Sequence, residues 1–297
     1  MKQSRINKCN YTILFAFRYI FSRRFRMLRK IKIKDSLHTI RHIIDNKASV
    51  SRFGDGELKL ISGKDTDFQK ADSLIVDKLR TIVSSNLKGH IVCLPYPWKN
   101  LRKLKYSAFE YWGEYLNRSL DSILSVININ NQYYDASFTR FYIDYKKDKL
   151  ARRVVPMLKK IWNEKYICII EGEYSRLGVG NDLFENTKSI KRIICPAKNA
   201  FQVYDDIMEA ALKMPKDTIY LIALGMTATC LAYDLHIKGR WAIDIGHVDV
   251  EYEWFRMGAT EKVPLPYKYV AECGDKVPHH QKTLSEYESQ IISRILV

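Results

Sequence analysis

Four short apolar segments, rich in β-branched residues, most constrain how this chain can fold. Their sequences are KYICIIEG, IKRIICP, TIYLIALG and RWAIDIG, and each is followed by a helical pattern or a glycine-rich loop. Because they are apolar throughout instead of alternating, they are typical of central parallel strands covered on both faces. The alternation predicts an α/β fold with a Rossmann-like, mostly parallel sheet flanked by helices, in which ligands bind beyond the carboxyl ends of the strands.

The same alternation is present nearer the N-terminus. The segment SLHTIRHIIDN predicts a helix with a hydroxyl at its N-cap, ASVSRF a strand, DSLIVDKLRTIVSS a helix, HIVCLPYP a strand and SAFEYWGEYLNRSLDSIL a helix. No repeat or linker interrupts residues 36–297, so we expect them to form one domain. A chain of 297 residues with 46% hydrophobic content is long enough to bury a sizeable core.

The net charge of +16 is concentrated near the N-terminus, where residues 1–34 contain eleven Lys or Arg and no acid. We therefore treat residues 1–35 as a basic, aromatic extension. Its segment YTILFAFRYIF contains an arginine and is shorter than the ~20 apolar residues of a spanning helix. Basic residues follow that segment, which argues against a secretory signal.

Three interpretations of this extension stay open: attachment to a membrane surface, a helix packed on the domain, and a nucleic-acid contact. The six scattered cysteines have no metal-binding spacing and fit a reducing compartment. We expect a cytoplasmic protein, peripheral at the inner face of the membrane, with no nucleic-acid partner.

The stretch SRFGDGELKLISG places Asp55 and Glu57 one residue apart, just after a predicted strand. If the chain is extended there, both carboxylates point to the same side. Such hard oxygen ligands suit Mg²⁺ or Mn²⁺, which also takes phosphate oxygens from a substrate. The alternative is a polar turn in which the aspartate caps the following helix.

Two glycine-containing loops that follow predicted strands are candidate phosphate sites. In EGEYSRLGVGNDLF, backbone N–H groups near the glycines and an arginine can bind an anion, or the loop is only a surface turn. In ALGMTAT, the N–H groups and hydroxyls at a helix start can bind phosphate, or a threonine is only an N-cap. The candidate residues are Arg176, Gly178, Asn181, Gly225, Thr227 and Thr229.

The segment AIDIGHVDVEYEW has the densest polar cluster that follows a predicted strand. If it is extended, His247, Asp249, Glu251 and Glu253 share one face; if it is helical, His247 and Glu251 are neighbours. A histidine beside several carboxylates fits metal ligation or general-base catalysis, and a structural role is the alternative.

In their order along the chain, RFGDGE, GEYSRLGVGNDLF, CPAKNAF, ALGMTAT, LAYDL and DIGHVDVEYEW resemble the GT-D type glycosyltransferases, a bacterial family formerly of unknown function. The likeness covers roughly residues 36–258. It implies a Rossmann-like fold, a DxE metal motif, and the transfer of a sugar from a nucleotide diphosphate sugar, typically a UDP-sugar.

The resemblance also implies roles for the candidate residues. Asp55 and Glu57 match the DxE motif, with Arg52 and Gly54 beside them, and would hold Mn²⁺ or Mg²⁺ against the donor diphosphate. His247 would ligate the metal or deprotonate the acceptor. Asp249 is a second candidate for the acid–base role. The contacts to phosphate and nucleotide would come from Arg176, Gly178, Asn181, Gly225, Thr227 and Thr229.

The leading hypothesis is a metal-dependent glycosyltransferase of the hexosyltransferase type, which extends a glycan acceptor, lipid-linked or protein-linked, in polysaccharide or glycoconjugate biosynthesis. Two alternatives are a nucleotide- or nucleic-acid-binding protein without transferase activity, and a metal-dependent phosphotransferase or hydrolase acting on a diphosphate. Aromatic and basic side chains that either line an acceptor pocket or belong to the core are Trp98, Tyr133, Tyr134, Arg140 and Tyr142.

Overall fold

The computed structural model describes residues 22–274 and 285–296. Its nine strands are β1 (Lys32–Ile33), β2 (Ser49–Arg52), β3 (His90–Leu94), β4 (Gln132–Asp135), β5 (Tyr166–Gly172), β6 (Ser189–Cys195), β7 (Ile219–Ala223), β8 (Trp241–Asp244) and β9 (Ile291–Arg294). They form one sheet in the order β1-β4-β3-β2-β8-β7-β5-β6-β9. All neighbouring strands are parallel, which confirms the predicted α/β fold.

Helices flank the sheet and connect its strands. They are α1 (Arg23–Lys30), α2 (Ser36–Asn46), α3 (Asp55–Ile61), α4 (Ser73–Val83), α5 (Tyr106–Val126), α6 (Lys149–Trp162), α7 (Tyr204–Leu212), α8 (Met226–Ile237), α9 (Val248–Met257) and α10 (Ser285–Gln290). None of the helices in the described ranges is long and apolar enough to cross a membrane.

Both faces of β5 are buried, which explains the run of apolar residues in its centre. Ile167 and Ile169 belong to one hydrophobic cluster, which also contains Trp162 of α6. Cys168 and Ile170 belong to a second cluster, which also contains residues of α8. Because successive side chains of a strand point to opposite faces, the four central positions of β5, 167–170, are all apolar.

The start of α2 differs in one detail from the predicted hydroxyl cap. The N-cap is Asp35, whose carboxylate accepts a hydrogen bond of 2.9 Å from the backbone N–H of His38. The hydroxyl of Ser36 instead donates to the carboxylate of Asp135 at the end of β4, at 2.5 Å. A carboxylate at this position satisfies a free N–H group of the first turn as well as a hydroxyl does.

Three strands were not predicted because they lack the apolar signature. β1 has only two residues, β4 has the sequence QYYD, and β9 has the sequence IISR with alternating burial. β1 and β9 form the two edges of the sheet, where one side of the strand stays unpaired and little apolar surface is covered.

Part of the basic N-terminal segment packs onto the domain. Phe25 and Leu28 of α1 and Ile31 and Ile33 around β1 are buried in the cluster that also contains residues of α5. This part therefore follows the interpretation of a packed helix. The predicted membrane-surface segment YTILFAFRYIF falls within residues 1–21, which lie outside the described residues.

Replacing a core side chain of a central strand tests this packing. Leu221 of β7 is fully buried between sheet and helices, so Leu221→Ala leaves a cavity and should lower the free energy of unfolding by about 2–5 kcal/mol. Leu74 is 74% exposed, and Leu74→Ala should change it by less than about 0.5 kcal/mol. Urea denaturation of both variants measures this difference; equal values would contradict the described core.

Candidate active site

A cleft of about 930 Å³ opens where the carboxyl ends of β2, β8, β7 and β5 meet. From β2 the chain continues outward to β3 and β4, whereas β8, β7 and β5 lie on the other side of β2. A parallel sheet has a crevice at such a reversal, and ligands bind there in open α/β proteins. The cleft is lined by residues of all four loops, among them Asp55, Gly172, Gly225 and His247.

The turn after β2 is helical from Asp55 onward, so the chain is not extended across the two carboxylates. Gly54 is the N-cap of α3, and its backbone N–H donates to the carboxylate of Glu57 at 2.7 Å. Residues two apart in a helix point in very different directions. The carboxylate of Asp55 accepts a hydrogen bond from the hydroxyl of Tyr111 and lies 3.2 Å from Lys59. Both carboxylates nevertheless line the cleft.

The environment of Glu57 disfavours a negative charge. Burial and the nearby carboxylate of Asp244 raise the pKa of Glu57 to about 7. The N–H group of Gly54 and the charge of Arg52 act in the opposite direction and compensate only in part. A cation beside Glu57 would therefore stabilise its ionised form.

Arg52 binds Asp244 across the β2–β8 pair. Its Nε and Nη2 donate to one carboxylate oxygen of Asp244 at 3.1 and 2.8 Å, and its Nη1 donates to the hydroxyl of Thr139 at 2.6 Å. The hydroxyl of Thr229 donates to the backbone carbonyl of Arg52 at 2.8 Å. Arg52 lines the cleft, but its Nε and Nη2 bind Asp244 and its Nη1 binds residues that follow β4.

The turn after β8 places a histidine at the edge of the cleft. His247 is the N-cap of α9, and its Nε2 lies 2.9 Å from the carboxylate of Glu272. Arg140 contacts the other oxygen of Glu272 at 2.5 Å. Burial, followed by the charge of Arg140, lowers the pKa of His247. Burial raises the pKa of Glu272, but its contacts with His247 and Arg140 outweigh burial and hold that pKa well below its usual range. The lowered pKa favours the neutral imidazole of His247 at neutral pH.

Asp249, in the first turn of α9, binds the glycine loop after β5. Its carboxylate accepts hydrogen bonds from the backbone N–H of Gly178 at 2.9 Å and from the side chain of Asn181 at 2.7 Å. Lys268 contacts the second oxygen at 2.6 Å. The guanidinium of Arg176 donates to the carbonyl of Tyr267 at 3.4 Å and does not line the cleft. An anion at this loop would have to displace these partners.

The loop after β7 brings a helix N-terminus to the cleft. Gly225 is the N-cap of α8 with φ +53°, a conformation that glycine adopts without strain, and it lines the cleft with Met226. Thr227 and Thr229 are buried, and their hydroxyls face Gln69 and the Arg52 carbonyl. A phosphate in the cleft would therefore contact the backbone N–H groups at the start of α8, and not the hydroxyls of Thr227 and Thr229.

The aromatic residues predicted for an acceptor pocket are mostly structural. Trp98 and Tyr133 are fully buried in the core, Tyr134 bonds His42, and only Arg140 lines the cleft. Tyr142 packs edge-on against another ring, that of Phe255. The aromatic side chains that do line the cleft are Phe68, Tyr111, Trp112, Tyr145, Tyr174 and Tyr269.

The three residues predicted as metal ligands share the cleft but do not converge on one point. Within residues 22–274 and 285–296, no three His, Cys, Asp or Glu side chains form a group that could hold a metal ion. His247 bonds Glu272, whereas Asp55 and Glu57 supply oxygen ligands of the kind that Mg²⁺ and Mn²⁺ prefer. A metal here would take its remaining ligands from substrate and water.

Comparison with protein families shows which family this chain belongs to. The family model described as Glycosyltransferase GT-D fold matches residues 50–273, most of the chain. The chain belongs to the GT-D glycosyltransferase family. This confirms the resemblance found in its sequence motifs.

Relatives and solved structures agree with the GT-D assignment. The chain is 35% identical over 269 residues to the Probable glycosyl transferase Gly of Streptococcus gordonii, and 34% identical over 268 residues to Glycosyltransferase GlyD of Streptococcus pneumoniae serotype 4. Each match covers 90% of this chain but only 39% and 33% of those proteins. The chain thus spans between a third and two fifths of the length of these curated relatives.

Two solved structures are similar over nearly their whole length. One is a selenomethionine-substituted domain of unknown function 1792, with 37% identity and a TM-score of 0.88, covering 92% of this chain and 99% of that one. Another, described as a new glycosyltransferase from Streptococcus sanguinis, has 35% identity and a TM-score of 0.85, covering 89% and 99%. A third is described as having a distinct glycosyltransferase fold.

Several residues that line this GT-D cleft or contact its lining were missed from the sequence. Glu272 contacts His247 from 25 positions away, and Lys268 contacts Asp249 from 19 positions away. Tyr111, which is 56 positions from Asp55, donates a hydrogen bond to it. Tyr111 belongs to α5, and the sequence pattern of this helix predicts only which of its faces is buried. None of them lies in a motif, so no local signal marks them.

The glycine after β8 is required by the Arg52–Asp244 pair. A Cβ atom at Gly246 would lie 1.8 Å from Nη2 of Arg52. Gly258 also has a positive φ, +65° compared with +41°, but a Cβ there would meet nothing within 4 Å. Both alanine variants strain the backbone, and Gly246→Ala adds overpacking, so it should lower the free energy of unfolding by about 1–3 kcal/mol more than Gly258→Ala. Urea denaturation tests this; equal losses would contradict the described contact.

Glu251 should make the stability of this GT-D protein depend on pH. Burial raises the pKa of Glu251 from 4.5 to about 7, although Arg140 and two backbone N–H groups lower it. Between these pH values the unfolded chain ionises while the folded chain keeps the proton, so stability falls as pH rises and is constant above about 7. Its Oε1 has no hydrogen-bond partner among the described residues.

Glu251→Gln cannot ionise, so it should remove this loss, about 2–3 kcal/mol between pH 5 and pH 8. The free energy of unfolding at both pH values, from urea titrations, measures the change. Glu114→Gln, at an exposed carboxylate, is the matched control and should behave as the wild type does. A Glu251→Gln variant that keeps the full pH dependence would show that another group causes it.

Proposed function

We propose that this chain transfers a sugar from a UDP-sugar to a hydroxyl group of a glycan acceptor, with Mn²⁺ or Mg²⁺ bound by Asp55 and Glu57. The observation that carries the proposal is that both carboxylates line the crevice beside the N-terminus of α8 in a chain of the GT-D family. A helix N-terminus favours phosphate, and a divalent cation favours phosphate and carboxylate together.

The charges around Glu57 support a bound cation. The guanidinium of Arg52 is committed to Asp244, and the ammonium of Lys59 lies beside Asp55. The close partners of the Glu57 carboxylate are backbone N–H groups, such as that of Gly54, and not a cationic side chain. The three carboxylates of Asp55, Glu57 and Asp244 therefore share only the two charges of Arg52 and Lys59. A divalent cation would stabilise such an excess of negative charge.

In the proposed reaction, the acceptor oxygen forms a bond to the sugar, the bond between sugar and diphosphate breaks, UDP leaves, and the acceptor proton passes to a base. The cation, when bound, neutralises the charge that develops on the diphosphate. The backbone of Gly225 and Met226 at the start of α8 would bind the same anion.

His247 is the proposed base. Because Glu272 is ionised, the neutral ring carries its proton on Nε2, which donates to Glu272, and Nδ1 is left to accept a proton. Asp249 is less suited to this role, because three donors, Gly178, Asn181 and Lys268, already bind its carboxylate.

The acceptor class and the membrane association are also proposals. The residues that would attach a lipid surface, 1–21, lie outside the described residues, and the curated relatives are much longer than this chain. A lipid-linked glycan at the cytoplasmic face of a membrane fits the basic charge of residues 1–34. Deleting residues 1–21 and measuring sedimentation with anionic vesicles separates this role from donor binding.

Calorimetric binding of UDP and UDP-sugars, with and without Mn²⁺, tests the donor site. We expect metal-dependent binding by the wild type, and loss of its metal-dependent part in the double variant Asp55→Ala, Glu57→Ala, because the oxygen ligands are removed. The matched control is Asp77→Ala, Glu114→Ala, which removes two exposed carboxylates that pair with neighbouring arginines.

The outcome also distinguishes the alternatives. Binding that is equally tight without metal would contradict the proposed role of Asp55 and Glu57. Release of phosphate or nucleoside monophosphate at a rate independent of any sugar acceptor would indicate a phosphotransferase or hydrolase instead. A folded wild type that binds no UDP-sugar would refute the proposed donor class.

A further inference from the structure

One side of the cleft is formed by the first two turns of α5, which present two aromatic rings beside two small side chains. We call Ser107, Ala108, Tyr111 and Trp112 the α5 wall, and all four line the cleft. Ser107 precedes Tyr111, and Ala108 precedes Trp112, by one helical turn each, so the small residues leave space beside the rings. The ring of Tyr111 is 45% exposed.

The α5 wall is held rigidly from behind. The indole ring of Trp112 packs edge-on against Trp98, with ring centroids 6.3 Å apart, and against Tyr115 at 5.7 Å. Trp98 is fully buried. Tyr111 packs edge-on against Trp112 at 5.6 Å, and its hydroxyl donates to Asp55. Rings fixed in this way lose little conformational entropy when a ligand binds to them.

The α5 wall and the start of α8 lie on different sides of the turn after β2. Asp55 contacts Tyr111 of α5, whereas a Cβ at the next residue, Gly56, would lie 3.1 Å from the sulfur atom of Met226 in α8. A diphosphate bound at the N-terminus of α8 would therefore leave the α5 wall to a second ligand. The turn with Asp55 and Glu57 lies between the two.

The positive charges nearest the α5 wall are already paired. Lys59 lies beside Asp55, Lys105 donates to the carbonyl of Thr260 at 2.8 Å, and Lys262 lies 3.8 Å from Asp144. Arg140 is bound to Glu272. Three of these four cations are matched by a carboxylate, and Lys105 alone by an uncharged carbonyl. This side of the cleft therefore has little net positive charge to attract an anion and suits an uncharged ligand with hydroxyl groups.

We propose that the α5 wall binds the uncharged terminal sugar ring of the acceptor. A pyranose has an apolar face of C–H groups that covers an aromatic ring, and hydroxyl groups at its edge that bond nearby polar side chains. The proposal rests on the proposed function and deepens it, because it assigns the acceptor to a neutral sugar and not to the phosphate of a lipid carrier. The hydroxyl of Tyr111 then connects the acceptor subsite to Asp55.

The experiment uses methyl glycosides of common hexoses and N-acetylhexosamines as uncharged probes, and the corresponding sugar 1-phosphates as anionic ones. Saturation-transfer NMR with the full chain measures their binding without donor, and UDP release gives KM for those that are substrates. Calorimetry gives the Kd of UDP for each variant. Glycoside binding is thus measured independently of the donor, so failure of the proposed donor class and failure of this proposal are distinguishable.

We expect Tyr111→Ala and Trp112→Ala to weaken methyl glycoside binding about tenfold or more, while the Kd of UDP changes less than about twofold. Tyr111→Phe keeps the ring and should retain wild-type glycoside affinity. The matched control is Tyr106→Ala, at a similarly exposed ring on the same helix that does not line the cleft, and it should bind the glycoside as the wild type does.

Three results would overturn the proposal. If both alanine variants bind the methyl glycosides as tightly as the wild type does, the α5 wall does not bind the acceptor. UDP affinity that falls in parallel with glycoside affinity would assign the wall to the donor. A wild type that binds sugar phosphates but no methyl glycoside would show that the second ligand is anionic.

Discussion

The ion pair between Arg52 and Asp244 is the interaction on which the rest of the cleft depends. It joins β2 to β8 beside the registered pair of Val50 and Ile243, where the two halves of the sheet meet. Removing one member of a buried pair leaves the other charge in a poorly solvating environment, which is costly. The pair therefore holds the turn after β2, which carries Glu57, and the turn after β8 next to each other at one crevice.

This commitment of Arg52 determines the electrostatics of the site. The guanidinium of Arg52 is bound to Asp244 and only partly offsets the effects of burial and of the Asp244 carboxylate on Glu57. The pKa of Glu57 therefore rises to about 7. The same holds at the edge of the cleft near His247. There Arg140 is bound to Glu272, and the pKa of the buried Glu251 rises although Arg140 lowers it in part. Because Arg52, Arg140 and Lys59 each have a carboxylate partner, the proposed diphosphate donor would be bound mainly by backbone groups and an added cation.

The fold could be predicted because its central strands are buried on both faces and their composition alone reveals it, whereas β1, β4 and β9 depend on tertiary neighbours. The site residues after β2 could also be located, but not their conformation: the backbone N–H of Gly54 binds Glu57 and begins a helix there. Glu272 and Tyr111 lie far along the chain from their partners, and no periodicity encodes such contacts.

A transferase must hold two substrates on either side of one reacting bond, and this cleft has two aromatic regions with the Asp55 turn near both. Phe68 lies beside Gly225, where a Cβ would meet it at 3.7 Å, and it contacts Tyr269 edge-on. Tyr111 forms the other region and bonds Asp55 directly. The carboxylate of Asp55 lies between the start of α8 and the α5 wall, so the metal proposed at Asp55 would compete with the hydrogen bond from Tyr111. The ring of Tyr111 also packs against Trp112 and Tyr115, so the α5 wall can keep its shape when that hydrogen bond is lost.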